Sequence, residues 1–299
     1  MTLPTHGRYA YSPIVGRPDY TWPDGKRLAI YVAVNVEHFE FGNLLGHAAA
    51  NENPWPDHRN FAWRDYGNRV GMWRILKMLD ELGLPAVHNL NSSIYEYCPE
   101  VVEAIRARGD EIVAHGRTNS ERQGTLSERD EKRLIDEVTA TITRHEGSPA
   151  KGWMAPWMSA SLVTPDLLQE AGYEYSLDWP CDDQPIWLTT RNGRILSVPY
   201  PVEINDVPQM LARRHTPEEF AQMIIDQFEE MLEQSADQAL VMPISLHTMV
   251  TGQPYRLRHV RRALRHIVEH AGRERIWFTR AGEIASHCAS LPAGVVPGS

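Results

Sequence analysis

Several segments with the apolar character of buried β-strands end in acidic or histidine side chains, which can transfer protons or bind metal ions. The residues at these positions are Glu37, His38, His115, Asp178 and His247. His247 is the clearest case, because it closes the apolar run 239–246 and precedes a Gly/Pro turn. The carboxyl ends of parallel strands meet at one edge of an α/β fold, where such folds hold their catalytic residues. We therefore expect these five side chains to share one site.

The segments that would position these side chains alternate between strand and helix patterns. Strand-like runs occupy residues 26–35, 85–90, 110–114, 151–156, 173–179, 239–247 and 275–279. Helical patterns occupy 70–82, 99–109, 127–145, 164–172, 216–233, 256–272 and 280–291. Seven or eight βα units can close into a barrel or spread into a doubly wound sheet. Because the sequence has neither a GxGxxG nor a Walker motif, we predict a barrel.

Two segments interrupt this alternation. Residues 41–66 form a long connection that predicts a packed wall of the site, and its aromatic residues are Phe41, Trp55, Phe61, Trp63 and Tyr66. Residues 180–210 predict a two-stranded excursion at the rim of the site, with its turn at Asn192-Gly193. The resulting organisation is an N-terminal arm at 1–26, a single barrel domain at 27–291 and a flexible tail at 292–299.

The composition limits the partners of this protein. The 299-residue chain has a formal net charge of −9, whereas nucleic-acid binding needs a concentrated basic surface. No run approaches the roughly 20 apolar residues that span a bilayer, and residues 1–18 lack the apolar core of an export signal. We expect a cytoplasmic protein with a small-molecule substrate and neither a nucleic-acid nor a membrane partner. The three cysteines lack metal-type spacing and are expected to be reduced thiols.

Five motifs between about residues 18 and 287 resemble those of the polysaccharide deacetylase superfamily, and within it the allantoinase-like branch that hydrolyses cyclic amides. In the first, NVEH, Glu37 stands in the place of the family's general base and His38 in that of a metal-binding Asp. The second, HGRTN, keeps His115 but has Asn119 in place of a second histidine. The third, MAPW at 154–157, lacks the arginine that sugar deacetylases carry.

The remaining motifs resemble the allantoinase-like branch more closely than the sugar enzymes. DWPCDDQPIW places Asp178, Asp182 and Asp183 on one loop, and PYPVEIND offers Asn205 and Asp206. LHTMVTGQPYR resembles the LHxxxxGxPxR pattern of that branch. The resemblance implies a distorted (β/α)7-type barrel that hydrolyses an amide-type C–N bond other than a peptide bond.

Amide hydrolysis requires a base for the attacking water, stabilisation of the oxyanion and a proton for the leaving nitrogen. We expect Glu37 to be the base, with a pKa that burial raises towards neutrality. His247 suits the acid, because the unperturbed pKa of histidine is about 6.5. A neighbouring acid, Asp178, Asp182 or Asp183, is expected to orient His247 and raise its pKa, and Asp178 is the third catalytic candidate. The expected substrate-binding residues are His38, His115, Asn119, Trp157, Asp182, Asp183, Asn205 and Asp206.

The cofactor stays open between none and a divalent metal ion such as zinc. A hydrolytic zinc has three protein ligands and one open position, for which the candidates are Glu37, His38 and His115. Glu37 cannot easily be both ligand and base, and Asn119 is a poor zinc ligand. Without a metal ion, backbone N–H groups or the side chains of His38, His115 or Asn119 would hold the oxyanion.

The aromatic loop, together with Trp157, Trp179 and Trp187, is expected to enclose a pocket for a small cyclic amide, imide or ureide rather than an open groove for a polymer. Two alternatives stay open. One is a metal-dependent N-deacetylase of an amino sugar, and the other is an inactive member of the family that binds a small ligand.

The arm at 1–26 and the arginine-rich segment 256–265 predict a homo-oligomer, because both present side chains suited to a contact between subunits. Light scattering should give a mass of at least twice the 34.1 kDa of one chain. A mass of one chain at all concentrations would contradict this expectation.

Overall fold

The structure, a computed structural model, describes residues 3–43, 45 and 56–299. Its strands are β1 Leu28–Val36, β2 Ala86–Leu90, β3 Glu111–Ala114, β4 Gly152–Trp153, β5 Tyr175–Ser176, β6 Ile186–Thr190, β7 Gly193–Ser197, β8 Leu240–His247 and β9 Ile276–Phe278. Its α-helices are α1 His58–Tyr66, α2 Met72–Leu82, α3 Ile94–Tyr97, α4 Pro99–Arg108, α5 Glu128–Glu146, α6 Thr164–Glu170, α7 Pro217–Gln234, α8 Pro254–Glu269 and α9 Ala281–Ser290. The predicted alternation of strands and helices is therefore confirmed along most of the chain.

The nine strands form one curled sheet in the order β6-β7-β5-β4-β3-β2-β1-β8, with β9 paired to β1. The ladders are parallel except for the β6–β7 hairpin, which the sequence predicts from its Asn192-Gly193 turn. In the part of the chain that the structure describes, no ladder joins β8 to β6. The predicted barrel thus takes an open, half-barrel form. Two backbone contacts cross this opening: Val241 N–H donates to Asp183 O at 2.9 Å, and Asn205 pairs with Ser245.

The central strand β1 is buried along its whole length, and its residues alternate between two cores because strand side chains point to opposite faces in turn. Leu28, Ile30, Val32 and Val34 pack against the helices. Ala29, Tyr31 and Ala33 face the inside of the curl. The inward row continues to Asn35 and Glu37, which places these polar side chains at the open end of the half-barrel. The site therefore begins where the interior row of β1 changes from apolar to polar.

Helices α1 and α2 are continuous through a π-helical turn at Gly67–Gly71, which packs against the loop after β8. A Cβ at Gly67 would lie 2.4 Å from Thr248 Oγ1, and one at Gly71 would lie 2.0 Å from Thr248 O. The sequence pattern predicts a helix only from residue 70, whereas helix α1 begins at His58 with the Asp57 side chain accepting from Asn60 N–H. The predicted loop 41–66 is therefore shorter than expected, and its Trp55 lies outside the described residues.

Both ends of the described chain pack against the edge strand β6. Arg8 O accepts from Thr189 N–H at 2.7 Å, and Pro297 O accepts from Trp187 N–H at 2.8 Å. Arg8 also forms a salt bridge with Asp166 at 2.6 Å. The tail, expected to be flexible, is instead held in place, since Val296 is also buried.

Among the described residues, no helix has the length and apolar character to cross a membrane.

The close approach at Gly71 yields a stability prediction. Gly71→Ala should lower the free energy of unfolding by about 1–3 kcal/mol, because the added methyl group cannot fit against Thr248 O without moving the backbone. Urea denaturation measures the change, with Lys77→Ala on the exposed face of α2 as the control. Equal stability of the two variants would show that the helix and the loop are not packed this tightly.

Candidate active site

The carboxylate of Glu37 lies between two histidines at the open end of the half-barrel. Its Oε1 is 3.5 Å from His247 Nε2 and 3.9 Å from His115 Nε2. The strand register explains the meeting, because β1 and β8 pair with Asn35 opposite His247. The backbone of Glu37 is fixed by Asn68, whose Nδ2 donates to Glu37 O at 2.8 Å. The two side chains expected to transfer protons therefore face each other, although they are 210 positions apart in the sequence.

His247 is oriented by the fully buried carboxylate of Asp206. The Nδ1–H of His247 donates to Asp206 Oδ1 at 2.7 Å. The other oxygen of Asp206 accepts from His247 N–H at 2.8 Å and from the Thr251 hydroxyl at 2.6 Å. This arrangement fixes the ring so that Nε2 faces Glu37. Asp206 reaches this position because its neighbour Asn205 bridges to β8 at Ser245.

The structure corrects the expected partner of His247. Asp178 accepts from Ala155 N–H at 2.8 Å and from the Ser176 hydroxyl at 2.9 Å, so it ties β5 to the end of β4. Burial raises the pKa of Asp178 to about 6. Asp182 forms a salt bridge with Arg17 of the arm at 2.6 Å. Asp183 is exposed and lines a separate cavity with Asp182.

The charges at this site stabilise one another. Burial alone would raise the pKa of Glu37, but His247 and His115 outweigh it and hold that pKa well below its usual range. Burial alone would lower the pKa of His247, but the carboxylates of Glu37 and Asp206 raise it well above its usual range. The expectation that the pKa of Glu37 is raised towards neutrality is therefore wrong. At neutral pH the pair consists of a carboxylate and an imidazolium, which are the forms that a base and an acid need.

His115 presents an unpaired nitrogen to the same site. The Nδ1–H of its buried ring donates to Met154 O at 2.8 Å, while Nε2 has no hydrogen-bond partner. The adjacent Gly116 allows a close packing against Pro156, where a Cβ would lie 2.7 Å from Pro156 Cγ. His115 Nε2 is therefore available to a substrate or a water molecule in the cavity.

The other two residues of the candidate metal motifs point elsewhere. The Nδ1 of His38 lies 2.9 Å from Ser93 Oγ, and its ring stacks on Tyr97 with centroids 4.1 Å apart. The side chain of Asn119 accepts from Asn91 Nδ2 at 2.9 Å. Across residues 3–43, 45 and 56–299, no three His, Cys, Asp or Glu side chains are arranged to hold a metal ion. The donor set of Glu37, His38 and His115 does not fit the three-ligand zinc site considered from the sequence.

A cavity of about 190 Å³ opens beside the Glu37–His247 pair. The side chains that line it are Asn35, Glu37, Phe39, His115, Met154, Trp157, Met158, Tyr200, Val202, Asn205, Val207, Pro208, His247 and Met249. Of the eight predicted substrate-binding residues, only His115, Trp157 and Asn205 line this cavity. His38, Asn119 and Asp206 support the residues around it, and Asp182 and Asp183 lie in the separate cavity.

The polar floor of the cavity is not predicted by the sequence motifs. Asn35 Nδ2 donates to the Tyr200 hydroxyl and to Ser245 Oγ, each at 3.0 Å. Tyr200 Oη and Ser245 Oγ are themselves 2.7 Å apart. Burial raises the pKa of the Tyr200 hydroxyl, which therefore stays protonated. The two-residue spacing of Asn35 and Glu37 on β1 is a signal that could have identified Asn35, whereas Tyr200 is brought in by tertiary packing.

The predicted aromatic wall is only partly present. Trp157 lines the cavity, with its Nε1–H donating to Asn119 O at 3.0 Å. Trp179 packs instead against His6 and Tyr9 of the arm, and Arg194 lies over the ring of Trp187. The wall is completed by Phe39 and by aliphatic and methionine side chains, which the pattern of tryptophans does not predict.

Comparisons with known proteins agree with this fold. The family model for polysaccharide deacetylase matches residues 64–176. A Schizosaccharomyces pombe protein, provisionally named a polysaccharide deacetylase, is 27% identical, and the match covers 90% of this chain and 93% of that protein. The crystal structure of Puue allantoinase is 26% identical with a TM-score of 0.82, covering 93% of this chain and 96% of that one. A probable polysaccharide deacetylase from Pseudomonas aeruginosa, 24% identical, shares the fold with a TM-score of 0.80 over 92% and 97% of the two chains.

Residues 64–176 therefore match the family model for polysaccharide deacetylase, and the chain shares its fold with the Puue allantoinase and the probable polysaccharide deacetylase structures. Deacetylases and allantoinases, the proteins to which it is similar, are hydrolases of carbon–nitrogen bonds other than peptide bonds.

The charge arrangement yields a prediction for the pH dependence of kcat/KM. Activity needs ionised Glu37 and protonated His247, so the lowered pKa of Glu37 and the raised pKa of His247 widen the active range on both sides. Turnover should persist well above pH 6.5, about the ordinary pKa of histidine. Asp206→Asn removes one of the charges that raise the pKa of His247, so the alkaline limb should move to lower pH.

Asp237→Asn, an exposed change in the turn before β8, serves as the control and should leave the alkaline limb in place. Both pH profiles are measured on a substrate that the wild-type protein turns over. An Asp206→Asn profile that coincides with the wild-type profile would show that Asp206 does not set the protonation of His247.

Proposed function

We propose that this protein hydrolyses an amide-type C–N bond in a small cyclic amide, imide or ureide, as an allantoinase-like enzyme. The observation that carries the proposal is the buried pair of Glu37 and His247, 3.5 Å apart, at the floor of a small cavity. One member is an ionised carboxylate and the other a protonated imidazole, so each is ready for its step. The similarity to Puue allantoinase over 93% of the chain supports the same class of substrate.

In the first step, Glu37 takes a proton from a water molecule as the water oxygen attacks the carbonyl carbon of the substrate. The carbonyl π electrons move to oxygen and give a tetrahedral oxyanion. The polar side chains Asn35, Tyr200 and Asn205 line the cavity, and we assign the positioning of the substrate to them. Because Asn35 Nδ2 already donates to Tyr200 and Ser245, we assign the oxyanion to Tyr200 and Asn205. Such preorganised groups stabilise developing charge without needing to reorient.

In the second step, the C–N bond breaks and its electron pair stays with nitrogen, which takes the Nε2 proton of His247. In a cyclic substrate this opens the ring and leaves one product with a free N–H and a new carboxylic acid group, which then loses its proton to solvent. Glu37 then holds the proton from water, and His247 Nε2 has lost one. Because these two atoms are 3.5 Å apart, a single proton transfer restores both groups.

The size of the cavity favours a small substrate. Its volume of about 190 Å³ is below the roughly 300–1,000 Å³ typical of pockets that hold drug-sized ligands. Hydrophobic side chains such as Trp157 and Pro208 line it, whereas a polymer needs an extended groove. These features support a single-ring substrate over the competing expectation of an amino-sugar polymer.

A substrate panel tests the proposal directly. Purified protein is assayed with allantoin, hydantoin, dihydrouracil and succinimide, and with oligomers of N-acetylglucosamine, each with and without a chelator. Ring opening that continues in the chelator supports the proposal. Acetate release from the sugar oligomers, abolished by the chelator, would replace it with the metal-dependent deacetylase.

The roles of the two central residues are tested by substitution. Glu37→Gln and His247→Ala should each lower kcat/KM by about 10²–10⁴-fold, the usual contribution of a proton-transfer group. Circular dichroism should show both variants folded, and Glu96→Gln on the protein surface is the control. Wild-type turnover by both variants would mean that other residues carry the chemistry.

A further inference from the structure

We propose that the substrate is a neutral ring that carries an apolar substituent, aliphatic or aromatic, and no charged group. This inference rests on the proposed function and adds the chemical class of the substituent. It follows from how the lining of the cavity is divided, from where the nearby cations lie and from an unusual turn in the cavity wall.

The cavity has one polar end and one apolar end. The polar end holds the reacting pair, His115 and the floor residues, which suit the carbonyl and N–H groups of a ring. The apolar part of the lining includes Trp157, Met158, Val202, Val207, Pro208 and Met249. A ring whose carbonyl reaches Glu37 would direct its substituent towards these side chains, where burial of apolar surface favours binding.

No arginine or lysine of the described chain lines this cavity. Two guanidinium groups lie close by, but each is placed over an aromatic ring: Arg64 over Phe39 at 4.4 Å and Arg122 over Trp157 at 5.9 Å. A carboxylate on the substituent would lie against the apolar wall, near the negative charge of Glu37, with no lysine or arginine in the lining to pair with it. The imidazolium of His247 already lies between the carboxylates of Glu37 and Asp206. Burying an unpaired charge is unfavourable, so the site selects against acidic substituents.

The apolar wall includes a backbone conformation that residues other than glycine rarely adopt. Trp157 and Met158 have positive φ angles of 64° and 49°, although both carry a Cβ atom. Such conformations persist only where surrounding contacts impose them, and they cluster at functional sites. Here Met158 N–H donates to Ala155 O at 2.9 Å, and the Trp157 indole donates to Asn119 O. The turn thereby presents two large apolar side chains to the cavity in succession.

The test compares four rings that differ only at one carbon: hydantoin and its 5-isobutyl, 5-ureido (allantoin) and 5-carboxymethyl derivatives. We expect kcat/KM to be about tenfold or more higher for the isobutyl compound than for hydantoin, in line with the usual effect of added apolar contacts. The carboxymethyl compound should fall below hydantoin. Equal or faster turnover of the ureido or carboxymethyl compound would overturn the inference while leaving the hydrolase in place.

Two substitutions at Met158 distinguish the effect of wall polarity from the effect of the strained backbone conformation. Met158→Asn keeps a residue that tolerates positive φ but makes the wall polar, whereas Met158→Leu keeps it apolar. The isobutyl-to-hydantoin ratio of kcat/KM should fall about tenfold in Met158→Asn and stay near the wild-type value in Met158→Leu. The same ratio in all three proteins would show that residue 158 does not contact the substituent.

Calorimetric binding of the same four compounds distinguishes the two proposals if no turnover is found. Tightest binding of the isobutyl compound without ring opening would keep the apolar site and remove the proposed hydrolysis of these rings. Binding of none of the four would overturn both.

Discussion

The buried contact between Glu37 and His247 is the interaction on which the site depends. Two charges in a protein interior are costly unless each is paired and hydrogen-bonded. Here the imidazolium lies between two carboxylates, and Asp206 accepts three hydrogen bonds, two from His247 and one from Thr251. These contacts offset the cost of burial. They use Nδ1 of His247 and leave Nε2 directed at Glu37. The same three charges that keep the site intact also give the base and the acid their working protonation states.

The position of this contact is set by the longest strand pairing among the described residues. Strands β1 and β8 are aligned along eight residue pairs, and the inner residues of β1 are fully buried before Asn35 and Glu37. The loop after His247 is then fixed by the glycines of the π-helical turn, which approach Thr248 too closely for any side chain. The wall opposite is built differently, from a turn with positive φ angles at Trp157 and Met158. Reactive groups thus lie on the sheet, and the groups that contact the rest of the substrate lie on loops.

Much of this arrangement is local and is visible in the sequence. Apolar runs and helix caps predict the strands and helices, and a shared strand edge predicts that Glu37 and His247 meet. The partner of His247 could not be predicted in this way, because Asp206 arrives through one bridge between Asn205 and Ser245. The direction of the pKa shift of Glu37 cannot be predicted from the sequence for a related reason: the pattern predicts burial, but it does not predict the distances to two histidines. The early start of α1 was hidden by its polar sequence, which lacks the apolar spacing that marks α2.

The contacts of the arm and tail with β6 have a consequence beyond the site. An open sheet leaves unpaired N–H groups along its last strand, and such a strand invites pairing with another molecule. In β6 the N–H groups of Trp187 and Thr189 are used by the tail and the arm, respectively. Removing either chain end, or pulling it away with a fused tag, would uncover this strand and favour edge-to-edge aggregation. Expression designs for this protein should therefore leave both termini free to pack.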